Sequence, residues 1–249
     1  ASNLRPLKIK NFKLDNLRKL LIDNLNIIIK KRKDGQIVEF DIKKDNELQD
    51  FTRLGTGSLG GKARGLAFAK NLISDIEIGK KDKNTLIRIP RIAVIGTDEF
   101  DRFMKDNDLN KIAFSKNKID KDIISKFLKG EISSKLKNTL SKFLDKMRSP
   151  LAIRSSSLLE DSQYQPLSGM YATYMLPNSN RSKTKRLKEL TKAIKLVYAS
   201  TYLKEPSSLI EKSVHRHEEE KMAVIIMELI GKKHQDRFYP SASGLAQSY

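Results

Sequence analysis

The distribution of apolar runs limits the folds open to this chain. Short stretches, each long enough for one buried strand, occur at Ile87–Ile95, Leu151–Ile153 and Lys221–Ile230. Between them lie segments whose apolar residues recur at helical spacing, such as the one that ends at Met147. No longer unit repeats along the chain. This alternation predicts an α/β or α+β domain with a mixed sheet and flanking helices, rather than a helical bundle or a β-sandwich.

The first 50 residues form a separate unit in this interpretation. Their apolar residues predict one amphipathic helix (Leu14, Leu17, Leu21, Leu25 and Ile28), and alternation over Gln36–Ile42 predicts an edge strand. Neither element contains a motif that indicates catalysis or ligand binding. We therefore divide the chain into a helical extension, residues 1–50, and a domain, residues 51–249.

The formal net charge of this 249-residue chain is +19, which suggests a partner that carries phosphate. Most of the basic residues are lysines, however, and they are spread over nearly every predicted helix. Aromatic residues make up only 7% and tryptophan is absent, which leaves few platforms for stacking bases. We expect a solvated lysine-rich surface with no specific nucleic-acid site, whose field still attracts anions such as ATP.

Cysteine content and apolar run length bear on the compartment. The chain has no cysteine, which excludes disulfides and thiolate-bound metals and fits a reducing compartment. No run approaches the roughly 18 uncharged apolar residues of a membrane span. We expect a cytoplasmic location and no membrane partner.

One polar stretch has the layout of a phosphate site: AIRSSSLLEDSQYQPLSGMYATY, Ala152–Tyr174. An apolar run delivers Arg154 into the three hydroxyls of Ser155–Ser157, and a polar loop then leads through Gly169 and Met170. A guanidinium clamps phosphoryl oxygens with two hydrogen bonds, and serine- or glycine-bearing loops let backbone N–H groups approach the same anion. From these residues alone, an ordinary strand-turn-strand with a surface arginine is an equal alternative.

A second glycine-rich stretch occupies Leu54–Ile73, LGTGSLGGKARGLAFAKNLI. Its glycines satisfy G-x-G-x-x-G formally, but the preceding residues lack the pattern of the buried strand that a dinucleotide fold requires. It is not a P-loop either, because Ala63 follows Lys62 where serine or threonine should stand. What remains is Gly60 and Gly61 before a predicted helix with Lys62 in its first turn, and a helix N-terminus attracts phosphate. The helix after Ile95 is predicted to begin with Thr97 as its N-cap.

These motifs together resemble one enzyme family, the nucleotide-binding domain of phosphoenolpyruvate synthase and pyruvate phosphate dikinase. The arginine-serine stretch resembles its phosphate loop, and Gly60, Gly61 and Lys62 resemble its early glycine-glycine-lysine. MAVIIMELIG, Met222–Gly231, resembles the strand that leads to its adenine-side hinge, and Tyr239–Tyr249 resembles the strand that follows. The resemblance runs from about Phe51 to the last residue.

The resemblance implies a fold and a set of roles. The fold is the N-terminal part of an ATP-grasp-like domain, and the activity is ATP-driven phosphorylation of pyruvate through a phosphohistidine carried by a further domain. Lys62 and Arg154 would act as the catalytic cations. The residues that would contact the cofactor are Gly60, Gly61, Ser155, Ser156, Ser157, Gly169 and Met170 at the phosphates, with Met227, Glu228 and Ile230 at the base.

The same resemblance implies ATP and Mg²⁺ as cofactors, and pyruvate or phosphoenolpyruvate as partners through other domains. We assign no metal ligand within these residues and expect this stretch alone to transfer no phosphoryl group. A homodimer is left open. The alternative is a basic, non-catalytic module that keeps the fold in order to sense nucleotide or to dock an acidic partner or nucleic acid.

Overall fold

The computed structural model describes residues 38–39, 50–75, 89–115, 119–157, 169–211 and 220–244. The helix predicted between Leu14 and Ile28 lies outside these residues, as do positions 158–168 of the polar stretch and the last five residues. The domain boundary at residue 50 therefore stays a prediction.

The described elements alternate between strands and helices, as the sequence predicts. In chain order they are β1 (Val38–Glu39), β2 (Phe51–Leu54), α1 (Gly60–Asp75), β3 (Ile92–Ile95), α2 (Thr97–Asp106), α3 (Asn110–Ala113), α4 (Asp120–Lys129), α5 (Ser134–Lys146), β4 (Leu151–Ser157), β5 (Thr173–Leu176), α6 (Lys183–Ser200), α7 (Lys204–Glu211), β6 (Met222–Glu228), β7 (Lys232–His234) and β8 (Arg237–Tyr239).

A six-stranded sheet forms the centre, with the strand order β1-β2-β3-β6-β4-β5. Strands β1, β2 and β3 are parallel, whereas β6 runs antiparallel to both of its neighbours, β3 and β4. Strand β5 pairs antiparallel with β4 at the far edge. The sheet is mixed, and helices lie against both of its faces, so the predicted fold class is confirmed. Strand β1 confirms the predicted edge strand at Val38–Glu39.

Each sheet face has its own apolar core. Alternate side chains of a strand point to opposite faces, so Ala93 and Ile95 of β3 join the larger cluster, which is covered by helices α2 to α6. Ile92 and Val94 join a smaller cluster under α1, together with Phe51 of β2. We call this second surface the α1 face.

Helix α5 shows how the sequence sets the larger layer. Its N-cap, Ser133, accepts a hydrogen bond from the Leu136 N–H at 3.2 Å, which satisfies one of the amides that a helix start leaves open. Leu136, Leu140 and Phe143 recur at helical spacing and are buried in the larger cluster. Amphipathic spacing therefore fixes which side of α5 faces the core.

The directions of the strands place their C-terminal ends at two opposite ends of the sheet. Strands β2, β3 and β4 run the same way, so Leu54, Ile95 and Ser157 end at one edge, which we call the upper edge. The lower edge holds the end of β6 at Glu228. In the described helices, no segment combines the length and apolar content needed to cross a membrane.

Candidate functional site

The start of α1 is fixed to the sheet by a side chain of another strand. The Ser156 hydroxyl accepts a hydrogen bond from the Ala63 N–H at 3.0 Å and donates one to the Leu59 carbonyl at 2.8 Å. These two backbone groups are four residues apart, the spacing of a first helical hydrogen bond. The buried serine stands between them. Its hydroxyl therefore serves α1 directly.

Gly60 makes the closest approach between the glycine-rich loop and β4. Its φ is +74°, in the left-handed region that favours glycine, and an added Cβ would overlap the Ser156 carbonyl oxygen. The sequence analysis predicted that Gly60 precedes a helix start able to bind phosphate. The structure adds a steric reason, since no side chain fits between the loop and the strand.

The serines of β4 divide between the two sheet faces. Ile153 belongs to the larger cluster, so Ser155 and Ser157, which alternate with it, turn toward helices α2 to α6. Arg154 and Ser156 lie on the α1 face. All three serines are buried, whereas Arg154 is half-buried. The predicted arginine and one predicted serine thus share the face that the start of α1 covers.

Lys62 and Arg154 flank the contact between Gly60 and Ser156, which marks one corner of the α1 face. Lys62 stands two residues after Gly60, which touches Ser156, and Arg154 is two residues before Ser156 on the same side of β4. Both side chains are half-buried. The corner therefore combines two cations with a helix N-terminus, an arrangement that attracts phosphate.

Gly169 and Met170 lie at the same upper edge. They precede β5, whose Thr173 pairs with Arg154, and β5 runs antiparallel to β4, so the chain before Thr173 continues toward the upper edge. Gly169 is exposed, and no described residue lies within 4 Å of the place where its Cβ would be. Met170 packs instead against the larger core. Within the described part of the chain, the Gly169 backbone is thus uncovered.

The end of β6 is fixed by a polar network at the lower edge. The Glu228 carboxylate accepts hydrogen bonds from Arg91 Nε at 2.8 Å, from Arg91 Nη2 at 2.9 Å and from the Ser149 hydroxyl at 2.6 Å. The hydrogen bond to Glu228 is the main cause that raises the pKa of Arg91 above its ordinary value. Backbone bonds from Glu228 N–H to the Arg91 carbonyl and from Leu229 N–H to the Pro150 carbonyl, both 2.9 Å, complete the network. The Glu228 side chain therefore holds the end of β6 in place. We call Glu228–Gly231, the segment that resembles the adenine-side hinge, the hinge.

Met227 lies on the α1 face and lines up with the cationic corner. It packs against the smaller cluster and pairs with Ala152, while Ser156 pairs with Ala223 four residues away along β6. At strand spacing, that offset is about 14 Å. The two ends of this face are thus about one short strand apart, and the buried Ile225 lies between them under α1. Ile230, just beyond the strand, is 49% exposed.

A comparison with protein-family models identifies the family of this domain. The family described as pyruvate phosphate dikinase, AMP/ATP-binding domain, matches residues 56–249. The chain belongs to this family. No curated protein shows a significant match to the chain.

Membership in the pyruvate phosphate dikinase AMP/ATP-binding family confirms the resemblance inferred from the motifs. The matched range includes every predicted site residue, from Gly60 to Ile230. The chain is accordingly an AMP/ATP-binding part of a dikinase-like enzyme, with a nucleotide as its partner. The roles assigned to individual residues remain proposals.

Two arginines of this dikinase-like domain were missed by the sequence analysis. Arg91 pairs with Glu228 at the hinge, and Arg53 of β2 donates to the carbonyls of Gly55 and Gly57, at 3.1 and 2.6 Å. Neither arginine follows a strand, which is where charged ligand-binding residues were expected. A charge within the short strand FTRL was the available signal for Arg53, because an arginine there must find acceptors.

Proposed function

We propose that this domain binds ATP, with the phosphates at the upper edge beside the start of α1 and the base at the hinge. The observation that carries the proposal is the contact between Gly60 and Ser156. It sets the first turn of α1, which carries Lys62, against β4 two residues from Arg154. Two cations at a helix start can neutralise a triphosphate with short, charge-assisted hydrogen bonds.

The residues at the upper edge have distinct roles in this proposal. Lys62 and Arg154 contact the phosphates, and the glycine backbones of Gly60, Gly61 and Gly169 approach the phosphates without side-chain hindrance. Ser155, Ser156, Ser157 and Met170 shape the same corner from behind, since the serines are buried and Met170 packs on the larger core. Ser156 acts by fixing the start of α1.

The hinge accommodates the base. Met227 offers an apolar surface on the α1 face, and the exposed side chain of Ile230 extends that surface beyond β6. The N–H groups of Glu228 and Leu229 already donate to the Arg91 and Pro150 carbonyls, so carbonyls of this segment and the backbone of Ile230 meet the base edge in this proposal. The network of Arg91, Ser149 and Glu228 keeps that backbone in one position.

The proposed reaction is ATP-dependent phosphorylation of pyruvate through a histidine in another domain of an ATP-grasp-type enzyme. For this chemistry Mg²⁺ would neutralise phosphate charge. The described residues contain no group of three or more His, Asp or Glu placed to hold an ion. We therefore assign no metal ligand and no step to the metal here.

Two coarser proposals accompany this reaction. The absence of cysteine supports a reducing, cytoplasmic compartment. Sedimentation of the purified chain with and without ATP measures whether it forms the homodimer that the sequence leaves open.

Hydrogen exchange with and without ATP tests where the nucleotide binds. We expect ATP to slow exchange at Gly60–Ala63, around Gly169 and at Glu228–Gly231. Adenosine should protect only the hinge. Protection confined to other segments, such as the β7–β8 hairpin, would contradict the proposed site.

A further inference from the structure

The glycine-rich loop crosses the sheet before α1 begins. It leaves β2 at Leu54 and reaches β4 at Gly60, and strands β3 and β6 lie between the two. Three strand spacings amount to about 14 Å. The path of this loop therefore decides where α1 starts and where Lys62 stands.

Arg53 holds the first half of that loop. Its Nε donates to the Gly55 carbonyl at 3.1 Å, and its Nη2 donates to the Gly57 carbonyl at 2.6 Å. Phe51, two residues earlier, belongs to the smaller cluster, so Arg53 also lies on the α1 face. One planar guanidinium thus bonds to two carbonyl groups of the loop from the side of β2.

The start of α2 holds the loop from the other side. Ser58 N–H donates to the Thr97 hydroxyl at 2.8 Å, Thr97 N–H donates to the Ser58 carbonyl at 3.0 Å, and Asp98 N–H donates to the Thr56 carbonyl at 3.3 Å. Gly57 has φ +92°, and a Cβ there would overlap Asp98. The loop is therefore held between Arg53 and the start of α2, and these contacts restrict its backbone conformation.

We propose that Arg53 is a positioning residue for nucleotide binding: it fixes the glycine-rich loop so that α1 and Lys62 stay beside Arg154. The inference rests on the proposed function of the site. Arg53 belongs to β2, three strand spacings from Arg154, and its Nε and Nη2 both donate to the loop. It acts through the geometry of the loop rather than by touching phosphate.

Lysine at this position separates geometry from charge. Arg53→Lys keeps the positive charge, but a single ammonium lacks the planar fork that reaches two carbonyls at once. If charge alone mattered, the lysine variant would behave as the natural chain. If the fork matters, the loop loosens although the net charge is unchanged.

The first measurement needs no ligand. In Arg53→Lys we expect amide exchange in the segment from Ser58 to Ala63 to accelerate by about tenfold, because one charged hydrogen bond has been lost. Arg181→Lys, at an exposed position before α6, is the control and should leave exchange unchanged. Unchanged exchange in Arg53→Lys would overturn the assignment.

The second measurement compares ligands. We expect Arg53→Lys to weaken ATP binding about tenfold and to leave adenosine binding unchanged, because only the phosphate end depends on the loop. In a Lys62→Ala background the same substitution should have a smaller effect, since the side chain it positions is gone. Equal losses for ATP and adenosine, or strictly additive effects, would overturn the proposal. If the natural chain binds no ATP, the proposed function itself fails, whereas ATP binding with unaltered loop exchange refutes only the role of Arg53.

Discussion

The Ser156 hydroxyl accepts the Ala63 N–H at 3.0 Å, so a residue of β4 occupies the first hydrogen bond of a helix that begins 96 positions earlier, at Gly60. The same hydroxyl donates to the Leu59 carbonyl. The position of α1 on the sheet is therefore set by one buried serine. The proposed phosphate site depends on this contact, because Lys62 lies in that first helical turn.

Removing the Ser156 hydroxyl should destabilise the fold. In Ser156→Ala the Leu59 carbonyl and the Ala63 amide lose their shared partner in a buried place. We expect a loss of about 1–3 kcal/mol in the free energy of unfolding, the cost of leaving buried polar groups unsatisfied. Urea unfolding measures it. A free energy equal to that of the natural chain would show that the hydroxyl does not anchor α1.

Two glycines of α1 should respond to alanine with opposite signs. Gly60→Ala forces a side chain into the Ser156 carbonyl at a positive φ, and we expect a loss of more than about 1 kcal/mol. Gly65, in the same helix, has open space around the place of its Cβ. Gly65→Ala should stabilise the chain by about 0.5–1 kcal/mol because alanine favours helix. Thermal unfolding of the pair decides it, and two changes of the same sign would contradict the close approach at Gly60.

The hinge network should affect the base end of the ligand. Glu228→Gln removes the charge that holds Arg91 while it preserves the shape of the side chain. Arg91 is 37% exposed, so we expect a stability loss of only about 1 kcal/mol. Calorimetry should show adenosine and ATP losing affinity by the same factor. A loss confined to ATP would mean that the hinge does not hold the base.

The charge of +19 should produce only non-specific binding to nucleic acid. Phosphate attraction through scattered lysines carries no sequence information. We expect duplex DNA binding to be indifferent to sequence and mostly lost near roughly 200 mM salt. Tight or sequence-selective binding at that salt would favour the alternative of a basic docking module.

Sequence patterns located the elements of this fold better than its contacts. Apolar periodicity predicted the strand at Met222–Glu228 and the helix that ends near Met147, because burial on a sheet or on one helix face imposes a regular repeat. Thr97 shows where local rules fail. It was predicted as an N-cap, but Gly96 occupies that position, and the Thr97 hydroxyl accepts the N–H of Ser58 instead. The glycine-rich loop competes for the hydroxyl, and nothing local to Thr97 indicates this.

For the site, too, local motifs were easier to predict than contacts between distant residues. The motifs predicted Lys62 and Arg154 as site residues, since cations beside glycines and serines have a local signature. The fork of Arg53 and the pairing of Arg91 with Glu228 join residues through the fold, and the latter spans 137 positions. Distances of that kind follow from strand order, which a single sequence does not specify.

The affinity of Lys62→Ala and Arg154→Ala for ATP tests the central claim most directly. Each substitution should weaken ATP binding by about 1.5–3 kcal/mol in calorimetric titration, the range for charged hydrogen bonds, and leave the free energy of unfolding nearly unchanged. Lys142→Ala, at an exposed position of α5 on the opposite side of the sheet, removes the same charge and should leave affinity unaltered. If the natural chain binds ATP and neither Lys62→Ala nor Arg154→Ala changes its affinity beyond Lys142→Ala, the phosphates do not bind at this corner.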